Sequence, residues 1–325
     1  MNTGRQGRRF VALCGGVGGA KLAFGLARVL GPDQLLVVVN TGDDFEHLGL
    51  PICPDLDTVL YTLAGQNNPA LGWGRADESW TAYKEMQRLG GADWFQLGDK
   101  DIGLHLARRH LFDSGKTLSA VMKVLAERLG VTTPIVPMSD EPVRTMVHTD
   151  QGKLAFQEYF VGHKCAPAVR AIEFAGAANA TPSPDFAAAL GDPDLAGFII
   201  CPSNPFLSID PILAIPGVRH ALSRTNAPVV AVTPLIGGQA VKGPAAKILQ
   251  ELELPVTPMS VAARYDGFLD GFILDRRDAE LSGAFPASVR VGVEQTLMVS
   301  DDDKTALADA AIAFVRRIRK GASPS

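Results

Sequence analysis

Cysteine is scarce in this chain, and its spacing excludes whole classes of protein. Cys14, Cys53, Cys165 and Cys201 are far apart. They form neither a CxxC pair nor a dense framework, so a disulfide-stapled secreted scaffold and a cysteine zinc site are both excluded, and a reducing, cytoplasmic location is expected. There is no HExxH spacing either; His105 and His110 fall on a basic helical pattern and read as solvated. No apolar run approaches the roughly 18 residues that span a bilayer. The basic stretch Met1 to Arg9 runs straight into an apolar strand pattern, so no targeting segment and no membrane contact are expected. Charge of one sign is not in excess: the formal net charge is -4, which offers no general field to nucleic acid and leaves any polyanionic ligand to be held locally. Internal repeats and low-complexity segments are absent. What is abundant is apolar surface, 46% of 325 residues, enough to bury one large or two modest cores and to exclude a disordered or fibrous chain.

Phe10 to Leu13 is a short apolar run. It is followed by Gly15-Gly16-Val17-Gly18-Gly19 and then by Leu22, Leu26 and Leu30 at helical spacing, which reads as strand, tight loop and helix. Leu35 to Val39 is branched and apolar throughout, as a strand buried on both faces must be, and closes a βαβ unit. Gly197 to Cys201 and Pro228 to Val232 repeat the buried-strand pattern. The expected fold is α/β: a Rossmann-like, doubly wound, mostly parallel sheet. Between the halves, Ser79 to Leu89 and Thr117 to Leu129 read as helices, and Val143 to Thr149 and Leu154 to Val161 flank a hairpin turn at Asp150-Gln151-Gly152. The expected organisation is a nucleotide-binding core over 8–65 and 186–320, an inserted helical and β-hairpin substrate region over 66–185, and a tail over 321–325.

The glycine cluster lies where backbone N–H groups and a helix dipole can bind an anion, although the same glycines would also serve a plain strand-to-helix turn. Its spacing departs from GxGxxG and lacks the GK[ST] ending of a phosphate-binding loop, so an ordinary NAD-dependent oxidoreductase is disfavoured. Asp43 and Asp44 follow the second strand, and Asp55 and Asp57 open a helix in Pro54-Asp55-Leu56-Asp57-Thr58. Hard carboxylate oxygens at the carboxyl edge of such a sheet suit Mg²⁺. Helix capping is the reading for Asp55, and function is the reading for Asp57 and at least one of Asp43 and Asp44. Leu97-Gly98-Asp99-Lys100-Asp101 either borders the same cleft or caps a helix. Ser203-Asn204-Pro205 offers hydroxyl and amide groups to a nucleotide, and Gly237-Gly238 with Lys242 is a second candidate anion loop. Trp73 and Trp94 could stack on a flat heterocycle or pack in a core.

Together, Gly15 to Lys21, Asn40-Thr41-Gly42-Asp43-Asp44, Pro54 to Tyr61, Leu97 to Asp101 and Pro202-Ser203-Asn204-Pro205 resemble the 2-phospho-L-lactate transferase family. Gly72-Trp73-Gly74, Pro142-Val143-Arg144-Thr145 and Ser208 to Leu213 add to the likeness, which runs from about Phe10 to Ile248. The resemblance implies a Mg²⁺-dependent transferase of coenzyme F-420 biosynthesis. In that reaction the terminal hydroxyl of the deazaflavin Fo attacks a guanylylated phospho-acid of lactate, enolpyruvate or glycerate type, and GMP leaves. It makes Asp57 and Asp44 the catalytic carboxylates and Asp43, Asp44 and Asp57 the metal candidates, with ligand and base undivided among them. Gly16, Gly18, Gly19, Ser203 and Asn204 lie around the nucleotide, and Gln96 contacts Fo where archaeal-type members carry a basic residue. Fo and the guanylylated acid are the expected partners, with a homodimer the candidate assembly. The rival reading is a non-enzymatic regulator on the same core, similar to the gluconeogenesis-factor group, that binds uridine diphosphate sugars. The Pro54 to Tyr61 and Leu97 to Asp101 segments favour the transferase.

Overall fold

Phe10–Cys14 (β1) and Leu35–Val39 (β2) are apolar at every position, and every position is buried. Such strands are stable only in a sheet covered on both faces. In the computed structural model, which describes residues 9–69, 73–240 and 243–318, they lie inside a seven-stranded sheet, each with a neighbour on both sides. The other strands are Ile135–Pro137 (β3), Gly197–Ile200 (β4), Val229–Val232 (β5), Gly271–Asp275 (β6) and Arg290–Glu294 (β7). The order is β7-β6-β5-β4-β1-β2-β3 and every pairing is parallel. Alternate residues feed two cores: Val11, Leu13, Leu36 and Val38 enter one, and Phe10, Ala12, Leu35 and Val37 the other. The expected doubly wound α/β fold is therefore present. Strand order reverses between β1 and β4, and in open parallel sheets ligands bind outside the carboxyl ends of the strands at that point.

Gly16–Val29 (α1) leaves β1 and packs against Pro54–Leu63 (α2) and the C-terminal helix, which is Asp301–Arg317. Gly25 makes that last contact possible, because a Cβ there would stand 2.1 Å from the backbone oxygen of Lys304.

The stretch 66–185 is not a clean insertion. Ile135–Pro137 lies inside it yet forms the edge of the main sheet beside β2. Three residues are too few to show a strand period, which is why this edge was invisible in the sequence. Asp99–Asp113 (α3) and Leu118–Arg128 (α4) lie between α2 and β3 in the chain, and α4 packs on β3. The hairpin turn at Asp150-Gln151-Gly152 joins Arg144–Thr149 to Gly152–Ala155, and Val169–Ala175 adds a third antiparallel strand. The second hairpin strand stops short of the expected Val161. Phe156 and Tyr159 are both buried at helical rather than alternating spacing, and Glu158–Gly162 forms a wide helical turn. Gly72, Lys242 and the tail 321–325, each part of an expectation above, lie outside the described residues.

Because the obstacle at Gly25 is backbone, which cannot rotate away, Gly25→Val should lower stability by about 1–3 kcal/mol. Thermal unfolding should show a melting temperature several degrees below the parent; an unchanged value would mean that α1 and the C-terminal helix are not close-packed there.

Candidate active site

The carboxyl ends of β1, β2 and β4 bring three loops together. Gly15 and Gly16 follow β1, and Gly16 takes φ +62°, a conformation that favours glycine. The Ser203 hydroxyl accepts from the Gly15 amide at 3.1 Å and donates to the Gly15 carbonyl at 2.8 Å, tying the loop after β4 to the loop after β1. A Cβ on Gly18 would lie 2.4 Å from the Pro202 oxygen, and one on Gly19 would lie 2.3 Å from Ser203 Oγ. These glycines thus admit the neighbouring loop.

Asn40 joins the third loop. Its Nδ2 lies 3.2 Å from Asp43 Oδ1, 2.9 Å from Asp55 Oδ2 and 3.1 Å from the Leu207 carbonyl, while its Oδ1 accepts from the Gly42 amide at 2.8 Å. Asp55 Oδ1 accepts from the Gly16 amide at 2.7 Å. Asp55 was expected to cap its own helix. Instead it holds the first turn of α1, because Asn40 and the glycine loop stand directly over the start of α2. Asp43, Asp44 and Asp55 are all buried. Burial pushes Asp44 up to about 7 against the pull of Arg144, and pushes Asp55 up to about 6 against its bonds from Asn40 and Gly16. Asp43 is driven well above the usual range by burial and by Asp55. Asp44 Oδ1 and Asn204 Nδ2 are buried with no hydrogen-bond partner. Asn204 Oδ1 is already committed to the amides of Phe206 and Leu207.

A second buried group lies behind the first. Both oxygens of Asp57 accept from Arg108, one from Nη1 at 3.1 Å and the other from Nη2. Arg108 Nη1 also reaches the Pro51 carbonyl at 3.2 Å and His105 Nδ1 at 3.1 Å. Burial works against the Arg108 charge, but Asp57 more than restores it, and the guanidinium is held above its usual pKa. His105 was expected to be solvated; it is 2% exposed and burial lowers it to about 4. Tyr61 donates to Asp101 at 2.6 Å. Asp99 does cap a helix, though not its own: it accepts from the amides of Thr81 and Ala82, while Glu78 accepts from those of Lys100 and Asp101. Phe45, His47, Trp94 and Phe95 form an aromatic cluster with ring centroids 4.9 to 6.2 Å apart, and exposed Gln96 follows it.

The family model for 2-phospho-L-lactate transferase CofD matches residues 10–309. The chain belongs to the 2-phospho-L-lactate transferase family. A phosphoenolpyruvate transferase of Kitasatospora aureofaciens is 40% identical over 321 residues, covering 96% of this chain and 99% of the relative. A 2-phospho-L-lactate transferase of Methanosarcina barkeri is 37% identical over 303 residues, covering 93% and 97%. A solved UPF0052-family protein from Bacillus halodurans aligns with a TM-score of 0.62 over 95% of this chain and all 100% of that one; at 15% identity this shows a shared fold. Membership of this transferase family decides for an enzyme over the sugar-nucleotide regulator.

In this family member Gly16, Gly18, Gly19, Asp43, Asp44, Ser203 and Asn204 lie on the segments that follow β1, β2 and β4 and meet at the switch point. Asp57 lies near enough to raise the pKa of Asp44, yet both its oxygens are turned to Arg108 on α3. Gly237, in the second glycine loop, gives its amide to Asp278 at 2.9 Å. Among the described residues no cluster of three or more His, Cys, Asp or Glu side chains could hold a metal by itself. Asp43 and Asp44 fit Mg²⁺ in the way that ion is usually bound, by one or two carboxylates with phosphate and water completing the shell. The unpartnered Asp44 oxygen is the observation in favour. Asn40 and Arg108 were missed as site residues. Asn40 stood inside a quoted motif, whereas nothing in the sequence links Arg108 to a carboxylate 51 positions away.

Removing one member of a buried ion pair strands the other, so Asp57→Asn should cost about 3 kcal/mol or more. Asp57→Leu combined with Arg108→Met should cost much less, because two apolar side chains leave no charge behind. Urea unfolding of the three proteins measures this; an Asp57→Asn variant as stable as the parent would show that the pair is not a buried charge pair.

Proposed function

We propose that this transferase moves a phospho-acid group from a guanosine diphosphate-linked donor to the terminal hydroxyl of the deazaflavin Fo, releasing GMP, with Mg²⁺ as cofactor. The carrying observation is the meeting, at the switch point, of buried carboxylates with an unpartnered oxygen and a glycine loop locked to Ser203. The donor we favour is the phosphoenolpyruvate type, in line with the name of the relative from Kitasatospora aureofaciens.

The reaction forms a bond between the Fo oxygen and the phosphorus that carries the acid, and breaks the bond from that phosphorus to the oxygen leaving with GMP. Such transfers need little covalent help, but they need in-line placement and charge neutralisation. Asn204 Nδ2, buried and without a protein partner, would donate to the nucleotide. Asp43 and Asp44 would hold Mg²⁺, whose contribution is to neutralise the donor phosphates. The hydroxyl proton would pass to a carboxylate of this cluster that does not hold the metal. The aromatic cluster at Phe45, His47, Trp94 and Phe95, with Gln96 beside it, offers Fo a flat apolar face and an amide. Asp57 serves by keeping Arg108 neutralised behind the start of α2.

Two measurements test this reading. Purified protein supplied with Fo, Mg²⁺ and guanylylated phosphoenolpyruvate, phospholactate or phosphoglycerate in turn should give product by mass in at least one case; tight binding of a uridine diphosphate sugar with no product would overturn it. Asp44→Asn should keep the parental melting temperature while turnover falls roughly a hundredfold or more, and chelation should stop the parent. Undiminished turnover after exhaustive metal removal would eliminate Mg²⁺ from the scheme.

A further inference from the structure

Arg144 opens the strand Arg144–Thr149, and that strand is anchored to the loop after β2: the Thr145 amide donates to the Gly42 carbonyl at 2.7 Å. The approach is close. A Cβ on Gly42 would lie 2.5 Å from Thr145 Oγ1 and 3.0 Å from Asn40 Oδ1. Strand alternation turns Thr145 inward and leaves Arg144 half-buried on the opposite face. Its Nη1 donates to the Val143 carbonyl at 2.8 Å and reaches the Thr41 carbonyl at 3.5 Å. Among the described residues no carboxylate lies within ion-pairing distance of it, although its charge is the largest influence opposing burial at Asp44. Thr41 Oγ1 and Asp44 Oδ1, on the loop that Arg144 touches, are buried and without partners.

We propose that Arg144, with the Thr41 hydroxyl beside it, receives the carboxylate of the phospho-acid and so sets which donors are accepted. The proposal rests on the transfer reading above. A guanidinium oriented by two carbonyls keeps donors in a planar fork that matches a carboxylate, and a neighbouring hydroxyl can add a third bond. Position along the sheet edge supports the assignment. Along the sheet order, the segments after β4 and β1 carry Asn204 and the glycines, the loop after β2 carries Asn40, Thr41, Asp43 and Asp44, and Arg144 follows the edge strand β3. A linear donor with its nucleotide at the switch point and its phosphates by the carboxylates presents its acid end to Arg144.

The test uses the full chain with Arg144→Gln and Arg144→Lys. Binding is measured by calorimetry without Fo, for GDP, for the guanylylated phosphoenolpyruvate donor, and for a donor analogue with the carboxylate replaced by hydrogen. Arg144→Gln should weaken donor binding roughly 10- to 100-fold and raise the donor KM in step, the range expected for one charged hydrogen-bonded contact. GDP binding should stay within about twofold, and Arg144→Lys should recover part of the loss because it keeps the charge but not the fork. The analogue should bind parent and Arg144→Gln alike. Equal weakening of GDP and donor would place Arg144 on the diphosphate and overturn the proposal, as would donor binding indifferent to Arg144→Gln. A parent that binds donor in an Arg144-dependent way yet makes no product with Fo would count against the transfer reading while supporting the carboxylate contact.

Discussion

The site hangs on one amide. Asn40 reaches Asp43, Asp55 and the Leu207 carbonyl with its nitrogen and holds the Gly42 amide with its oxygen. Through Asp55 it is bonded on to Gly16, and through Leu207 to the segment that follows Asn204. A neutral side chain is therefore what holds buried carboxylates together at the edge of the sheet. An amide can orient them but cannot cancel their charge, so proton affinity rises across the group. On the proposed reading, a divalent cation held there would supply the charge cancellation that Asn40 cannot.

Behind that group the chain uses the opposite solution. Asp57 sits two positions after Asp55 on α2, yet it is neutralised by Arg108, which also holds the Pro51 carbonyl. One helix start thus presents one carboxylate to the glycine loop and one to a fixed internal cation. The pair binds α2, α3 and the hairpin Phe45–Ile52 into one wall. The same hairpin carries Phe45 and His47 into the aromatic cluster, so the position of that face depends on the buried charge pair behind it. Asp99 caps the helix Thr81–Arg88, and Glu78, just before that helix, caps α3, which holds the remaining side of the wall.

Much of this was legible in the sequence. Leu35–Val39 is apolar at every position because it is buried on both faces, and Thr117 announces its helix by its own side chain, which accepts from Ala120. Of the main-sheet strands that escaped notice, Gly271–Asp275 is buried at every position like those that were read, while the other two are short or irregular. Ile135–Pro137 has three residues, and Arg290–Glu294 is an edge strand with partly exposed positions and no clear alternation. The burial of His105 was hidden for another reason. Asp57 and Arg108 come together only when α3 packs beside α2, and no local pattern records that approach.

The sequence by itself determined the α/β class, the βαβ unit, the glycine loop and the presence of several carboxylates at the carboxyl edge. Each of these follows from periodicity or from residues adjacent in the chain. The division of labour among the carboxylates was decided only by tertiary structure. Asp43, Asp44, Asp55 and Asp57 are chemically alike, and what separates them is what each meets: Asn40 at Asp43, no hydrogen-bond partner at one oxygen of Asp44, the Gly16 amide at Asp55, and Arg108 at Asp57. Those partners lie up to 51 residues away from the carboxylate they serve, as Arg108 does from Asp57, and a carboxylate's role follows from its desolvation and its neighbouring charges, which exist only once the chain has folded.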